Sequence, residues 1–476
     1  MGPVKRPGPT ERARGPVQST GMKALVVILR GLPAGAIGPY GNRWIETPTL
    51  DALATRGVVY DWHFSVHPSD AVRVWETGRF DFPPRPDEER PEGLAGLLAT
   101  LESAGVPTYL VNDTGSGGVL DCAEIRWAKG PAATLSKALE KLEKFADEER
   151  WFLCVDLSAL LPPWTVSDEI LEAYFAPPPE EEDDEDEEEG EHAAGEYLGE
   201  EEEIEPLLAP EGGAIDPADD VTFRRIQTTF AAAVTQLDLK LEELLSAVGD
   251  DVLVIVTSDR GQALGERGVV GSVRPWLVDH RLHEEIVHVP LILAGPGCPA
   301  GRRIEALTAS VDLAPTLAAH FGVPLEGEVH GHDLHPAVIG EEPSLRDYLC
   351  LGQESLLDLR EAVSMPAADL QALMANHQRP AEWAIRTPDW SLRLPIHGDE
   401  AGTRRLYVKP DDRYEVNDVS QAHFEQADAL ERTLRAFVEA TRAPGPLQAP
   451  PLQLDQPAPG AEAESGPEEA SVSPSA

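Results

Sequence analysis

Cysteine and basic residues are the scarce components of this chain of 476 residues. Four cysteines, Cys122, Cys154, Cys298 and Cys350, lie far apart with no C-x-x-C spacing, which fits a reducing compartment better than a disulfide framework. Cys154 falls inside an apolar run and reads as a small buried hydrophobe. Only 39 Lys and Arg stand against 84 Asp and Glu, a formal net charge of -45. That balance argues against a nucleic acid partner, because phosphate binding needs clustered cations. No stretch approaches the ~20 apolar residues of a membrane span. The N-terminus is basic but has no apolar segment behind it, so it predicts no secretory signal. The expectation is therefore a cytoplasmic protein with residues 1–21 as a flexible leader.

What the chain does contain is short continuous apolar runs: KALVVIL (23–29), TYLV (108–111), WFLCVDL (151–157), VLVIV (252–256) and VPLILAG (289–295). Runs of this length predict strands buried on both faces of a mostly parallel sheet. Between them lie amphipathic stretches at 93–104 and 223–248. In the second, Phe230, Val234, Leu237, Leu241, Leu244 and Val248 recur at helical spacing. Strand and helix alternating in this way predict a doubly wound α/β domain over 22–340. A smaller C-terminal α+β subdomain is expected over 341–442, with strands in 383–395 and 404–410 and a closing helix at 420–441. Residues 177–210 interrupt the pattern with a dense acidic tract that cannot bury enough apolar surface to order itself, and read as a disordered insertion. The Pro, Ala, Glu and Ser-rich tail from 443 to 476 reads the same way.

Ligands of open α/β sheets bind where strands end at their carboxyl termini. That rule selects Arg30-Gly31, Asn112-Asp113, the loop after Leu157, and Thr257 to Arg260.

The blocks ALVVILRGLPAGAIGPYGN, WIETPTLDALATRGVVYDWHF, Thr77-Gly78-Arg79, TSDRGQALGERG, HEEIVHVPLILAGPG and ASVDLAPTLAAHFGVPL occur in one order over Lys23 to about Ser420. In that order they resemble the sulfatase family of the alkaline phosphatase superfamily. The resemblance implies sulfuric ester hydrolysis with a divalent metal, usually calcium, and a formylglycine nucleophile. Carboxylates would hold the cation, and the cation with Lys, Arg and His would neutralise charge on the sulfate.

Residue by residue, the family's chemistry is missing. Two metal-binding aspartates after the first strand are replaced by Arg30-Gly31. The nucleophile position falls on Pro68 or Val66, so Ser69 is a candidate catalytic residue only with a remodelled loop. The family's Lys and His after the second of these strands become Asp113 and Gly115, and a further His becomes Leu161. At the opening of TSDRGQALGERG the family's Asp-His becomes Asp259-Arg260, and another His becomes Arg267. Asp259 is thus the one family metal ligand kept, and the calcium site is expected to be lost, with no cofactor. Asp259 is expected to be neutralised by Arg30 or Arg260. Arg30, Arg260, Arg267 and Asp113 are the candidate binding residues for a small anionic ligand. His330, His332, Asp333 and His335 form a second histidine-rich cluster that reads as a surface loop. The sequence reading is a sulfatase-like protein that has lost hydrolysis and keeps the fold for anion binding or interaction. The alternative is a divergent sulfuric or phosphoric ester hydrolase with a relocated nucleophile. No protein partner can be named.

Overall fold

A computed structural model of the chain describes residues 22–68, 71–80, 82, 96–113, 124–176, 204–211, 213–216, 218–271, 282–325, 327–340, 344–354, 381–397 and 401–454. The strands in chain order are β1 (Met22–Leu29), β2 (Val58–Phe64), β3 (Thr108–Asn112), β4 (Ile125–Trp127), β5 (Arg150–Leu157), β6 (Gly213–Ala214), β7 (Val252–Thr257), β8 (Val269–Val270), β9 (Leu291–Ala294) and β10 (Arg302–Ala309). The C-terminal part adds β11 (Leu349–Glu354), β12 (Ala381–Arg386), β13 (Trp390–His397) and β14 (Arg405–Val408).

An eight-stranded sheet runs in the order β10-β2-β9-β7-β1-β5-β3-β4. Its pairings are parallel except those of β9, which runs antiparallel to both β2 and β7. The expected mostly parallel sheet is therefore present. Strands β2 and β10 escape a search for continuous apolar runs because polar residues interrupt them: Asp61 and Trp62 are half-buried, and Arg303 and Glu305 exposed.

Both faces of the sheet are covered, as the apolar runs require. Along β1, Leu25, Val27 and Leu29 enter one core while Ala24, Val26 and Ile28 enter another, since successive strand residues point to opposite faces. The helix Asp220–Ser246 lays Phe230, Val234, Leu237, Leu241 and Leu244 into the first core. Asp219 caps its start, accepting the Thr222 N–H at 3.0 Å.

The smaller C-terminal sheet is antiparallel, in the order β11-β12-β13-β14, and the helix Phe424–Arg442 buries Leu430, Leu434, Phe437 and Val438 against it. Residues 443–454 differ from the expected disordered tail. Leu447, Leu452 and Leu454 pack against this third core, and the Tyr348 hydroxyl donates to the Pro450 carbonyl at 2.6 Å; three leucines in a proline-rich segment suffice to anchor it. The leader 1–21, residues 177–203 of the acidic tract and the tail from 455 lie outside the described residues.

Ionic side chains in the interior join the two sheets' domains. Lys409, from the loop after β14, reaches Glu284 at 3.0 Å and Glu415 at 3.5 Å. Arg393 on β13 is fully buried, forks onto Glu382 at 3.0 and 3.2 Å, and reaches Glu415 at 3.2 Å. Burial resists the charge on Glu415, but His283, Arg393 and Lys409 outweigh it and hold its carboxyl at about 2.

Candidate functional site

Sheet order decides which strand ends meet. Because β1 lies between β7 and β5, with β3 next to β5, the residues following β1 face those that close β7, β5 and β3. Arg30 follows β1, its N–H donating to the Leu157 carbonyl at 2.8 Å. Its guanidinium grips Asp156 of β5 through two parallel bonds, Nε to Oδ1 at 2.7 Å and Nη2 to Oδ2 at 2.6 Å. On the other side Nη1 faces Asp259 Oδ2 at 3.8 Å. Burial opposes the charge on Arg30, yet Asp156 first and Asp259 further away hold its proton more firmly than on a free arginine.

Asp259 is fixed from three directions. Its Oδ1 accepts the Gly31 N–H at 3.2 Å, its carbonyl accepts the Ser65 hydroxyl at 2.5 Å, and the neighbouring Ser258 hydroxyl accepts the Leu32 N–H at 3.2 Å. Gly31 has φ +86°, and a Cβ there would lie 2.9 Å from Leu161 Cδ2, so glycine is what lets this N–H face the carboxylate. Asp113 stands at the next strand end and accepts the Ser158 N–H at 2.8 Å. Burial pushes its carboxyl up, against the pull of Ser158. Asp113, Ser158 and Leu161 open onto a cleft of about 410 Å³ walled on its far side by Ala233, Leu237 and Lys240.

The structure thus brings together Arg30, Asp113 and Asp259, with Asp156 as the central partner. Sequence reasoning did not select Asp156, because it sits inside the apolar run WFLCVDL; a single acid near the end of a buried strand was the available signal. Arg260 is half-buried and forms no ion pair with a described carboxylate, so the neutralising cation beside Asp259 is Arg30. Arg267 is directed elsewhere. Its Nε and Nη2 fork onto Glu285 at 2.6 and 3.2 Å, and it also donates to the carbonyls of Tyr414 and Glu415. With its donors held in this way it braces the two domains, and an anion would have to displace Glu285. Ser69 lies outside the described residues. The aligned Val66 and Pro68 are buried and have no nucleophilic atom.

A calcium ion at the family position would need oxygen ligands that are free to close around it. Here a guanidinium stands between Asp156 and Asp259, and Asp113 and Asp259 each accept a backbone N–H. These residues do not fit a further divalent cation at the strand ends.

The histidine cluster does not converge. His330 is buried and its Nδ1 accepts the Phe80 N–H at 3.1 Å; Arg346 lies 2.7 Å from His332 Nδ1; His335 Nδ1 pairs with Asp333 at 2.7 Å. The backbone N–H groups of His330 and Gly331 donate to the Gly78 carbonyl, so this segment braces the Thr77-Gly78-Arg79 turn.

Burial lowers the imidazole of His63 to about 3 and that of His330 to about 4. Both are depressed relative to the unfolded chain, so the unfolded state takes up protons first and stability falls as pH drops below about 6.5. Urea melts at pH 7.5 and 5.5 are expected to show a loss of about 1 kcal/mol from each histidine. His63→Leu should reduce that loss; an unchanged pH slope in this variant would remove His63 from the account.

The family model described as Sulfatase matches residues 131–323. A choline-sulfatase of Rhizobium meliloti (strain 1021) is 36% identical over 144 residues, covering 27% of this chain and 26% of that protein. An N-acetylglucosamine-6-O-sulfatase of Bacteroides thetaiotaomicron is 28% identical over 203 residues, covering 41% and 32%. The chain therefore matches about a third or less of the length of these two relatives. A protein solved in complex with its substrate D-glucosamine-2-N,6-O-disulfate superposes with a TM-score of 0.61 at 17% identity, over 88% of this chain and 98% of that one. A phosphonate monoester hydrolase from Silicibacter pomeroyi gives 0.60 at 17% identity, over 88% and 94%. The mixed eight-stranded sheet with a small antiparallel C-terminal sheet is the fold of these solved neighbours. Within that fold, residues 131–323 carry the sequence pattern of the Sulfatase family. No helix among the described residues is long and apolar enough to cross a membrane.

Proposed function

We propose that this chain is a sulfatase-family protein without sulfuric ester hydrolysis, which keeps the fold and its strand-end cleft for binding a small anion. The observation that carries the reading is the Asp156–Arg30–Asp259 arrangement, in which a guanidinium takes the place of a metal between two carboxylates. Three further features support it. The aligned nucleophile positions are Val66 or Pro68, the Ser65 hydroxyl is committed to the Asp259 carbonyl, and Arg260 offers a guanidinium without a described carboxylate partner. Guanidinium groups suit bidentate contacts with sulfate, phosphate or carboxylate.

The test pairs turnover with metal dependence. Purified full-length chain should give no turnover of 4-nitrophenyl sulfate or 4-nitrophenyl phosphate above background. Its melting temperature should be the same in calcium as in chelator. Calcium-dependent turnover, or calcium retained at one ion per chain, would overturn the reading. The anion arm is separate: calorimetry against sulfate and phosphate esters should give heat that Arg260→Gln removes, and its absence leaves an interaction role without an anion.

A further inference from the structure

A second pocket, independent of the strand-end carboxylates and of the reading above, lies between the main domain and the C-terminal part. It encloses about 320 Å³. We propose that it binds a small zwitterion, with an ammonium group held between Trp44, Tyr414 and Glu266 and a carboxylate held by Arg413.

Four features of the pocket converge. The first is aromatic exposure. Trp44 is 54% and Tyr414 63% exposed, although large rings are normally withdrawn from water. Both line this pocket, one from the loop after β1 and the other from the loop after β14. The Trp44 ring is steadied edge-on against Tyr174, with centroids 6.0 Å apart. Two exposed rings at one mouth suit an ammonium group, which aromatic faces attract.

The second is charge. Glu284 and Glu285 line the rear of the pocket, but Lys409 and Arg267 already neutralise them at 3.0 and 2.6 Å. That leaves one acid and one base. Glu266 accepts backbone N–H groups, that of Leu264 at 2.7 Å and its own, and has no described cation within ion-pair distance. Arg413 likewise pairs with no described carboxylate, and these two do not pair with each other. A ligand carrying both signs would satisfy both groups, whereas a single ion would leave one of them unmatched.

The third is placement of the guanidinium. Arg413 lies against Gly35, where an added Cβ would come within 2.8 Å of Nη2. It also sits 5.9 Å from the centre of the Tyr414 ring. The cation is therefore kept beside the aromatic mouth by close packing on a glycine, and its planar donors stay available for a carboxylate.

The fourth is the floor. Ile45, Phe230 and Leu264 are buried and apolar, so the space between the two charged ends suits a short hydrocarbon body. Small-ligand pockets concentrate at such domain boundaries, with apolar walls and a few convergent polar groups.

The test is calorimetry on the full-length chain, with glycine betaine as the probe and tetramethylammonium, acetate and glucose as comparisons. Betaine should bind saturably at millimolar concentration or below, and each half-ligand should bind about ten-fold more weakly or worse. Trp44→Ala and Arg413→Gln should each weaken betaine by about ten-fold or more, and Trp44→Phe should preserve most of the affinity. Glu266→Gln should weaken betaine while leaving acetate unchanged. These side chains are exposed, so the variants should melt at the wild-type temperature, which keeps a binding loss separate from a folding loss. No saturable heat with betaine, glucose binding as tightly as betaine, or variants that bind it normally would each overturn the proposal.

Discussion

Replacing Arg393 by leucine should lower the unfolding free energy by about 3–5 kcal/mol, the usual penalty for stranding one side of a buried ion pair. Arg393 has no exposed surface and bonds Glu382 twice. In its absence Glu382 keeps, among the described residues, the Leu282 N–H at 2.6 Å, whereas Glu415 keeps Lys409 at 3.5 Å and Ser391 at 3.0 Å. Urea denaturation at pH 7.5 measures the loss. The sign of its pH dependence is distinctive. In the wild type Glu415 is depressed to about 2, so its contribution is complete above the ordinary carboxylate range and fades as pH falls towards 2. In Arg393→Leu the stranded carboxylates can take up protons at milder acidity, so the difference between variant and wild type should narrow as pH drops. A loss under about 1 kcal/mol at pH 7.5, or a gap that widens in acid, would mean that the arginine is not compensating buried charge.

Arg30→Met should cost about 3 kcal/mol, near the lower end of the same range because the Arg30 side chain retains 20% exposure. The physical cause is the pair of carboxylates it holds apart, Asp156 at 2.6 Å and Asp259 at 3.8 Å. The double variant Arg30→Met with Asp156→Leu should recover much of the loss, since a well-packed apolar pair can stand in for a buried ion pair. Asp259 would still accept the Gly31 N–H. Chemical denaturation of the single and double variants provides the measurement, read as a double-mutant cycle. A double variant less stable than Arg30→Met alone would show that Asp156 has stabilising partners besides this guanidinium.

The two effects share a cause. At the strand ends and in the interdomain network, carboxylates are kept inside the protein by guanidinium groups with fixed donors. In the sulfatase family the strand-end role is expected of a metal. Here the Arg30 guanidinium, covalently part of the chain, lies between Asp156 and Asp259.

Much of the fold was legible in local pattern. Continuous apolar runs marked β1, β3, β5, β7 and β9, because a strand buried on both faces has no polar alternate. The long helix was legible because Phe230, Leu237 and Leu244 recur at its period. Strands β2 and β10 were less legible, since Asp61, Arg303 and Glu305 interrupt their patterns. The tail from 443 read as disordered by composition, yet three leucines tie residues 443–454 to the C-terminal core.

For the site, the sequence alone determined which side chains are available: Val66 and Pro68 carry no nucleophilic atom, and Arg30 and Asp259 stand where the resemblance to the sulfatase family implies metal ligands. Residue identity does not depend on folding. Tertiary structure decided the pairings. Placing β1 between β5 and β7 aims Arg30 at Asp156 as well as Asp259, and the bonds of Arg267 to Glu285 and to the Tyr414 and Glu415 carbonyls turn it from a candidate anion ligand into a brace. The sequence does not state strand order or domain docking, and a charge on a flexible side chain acquires its role only from the counter-charge that these bring within about 4 Å.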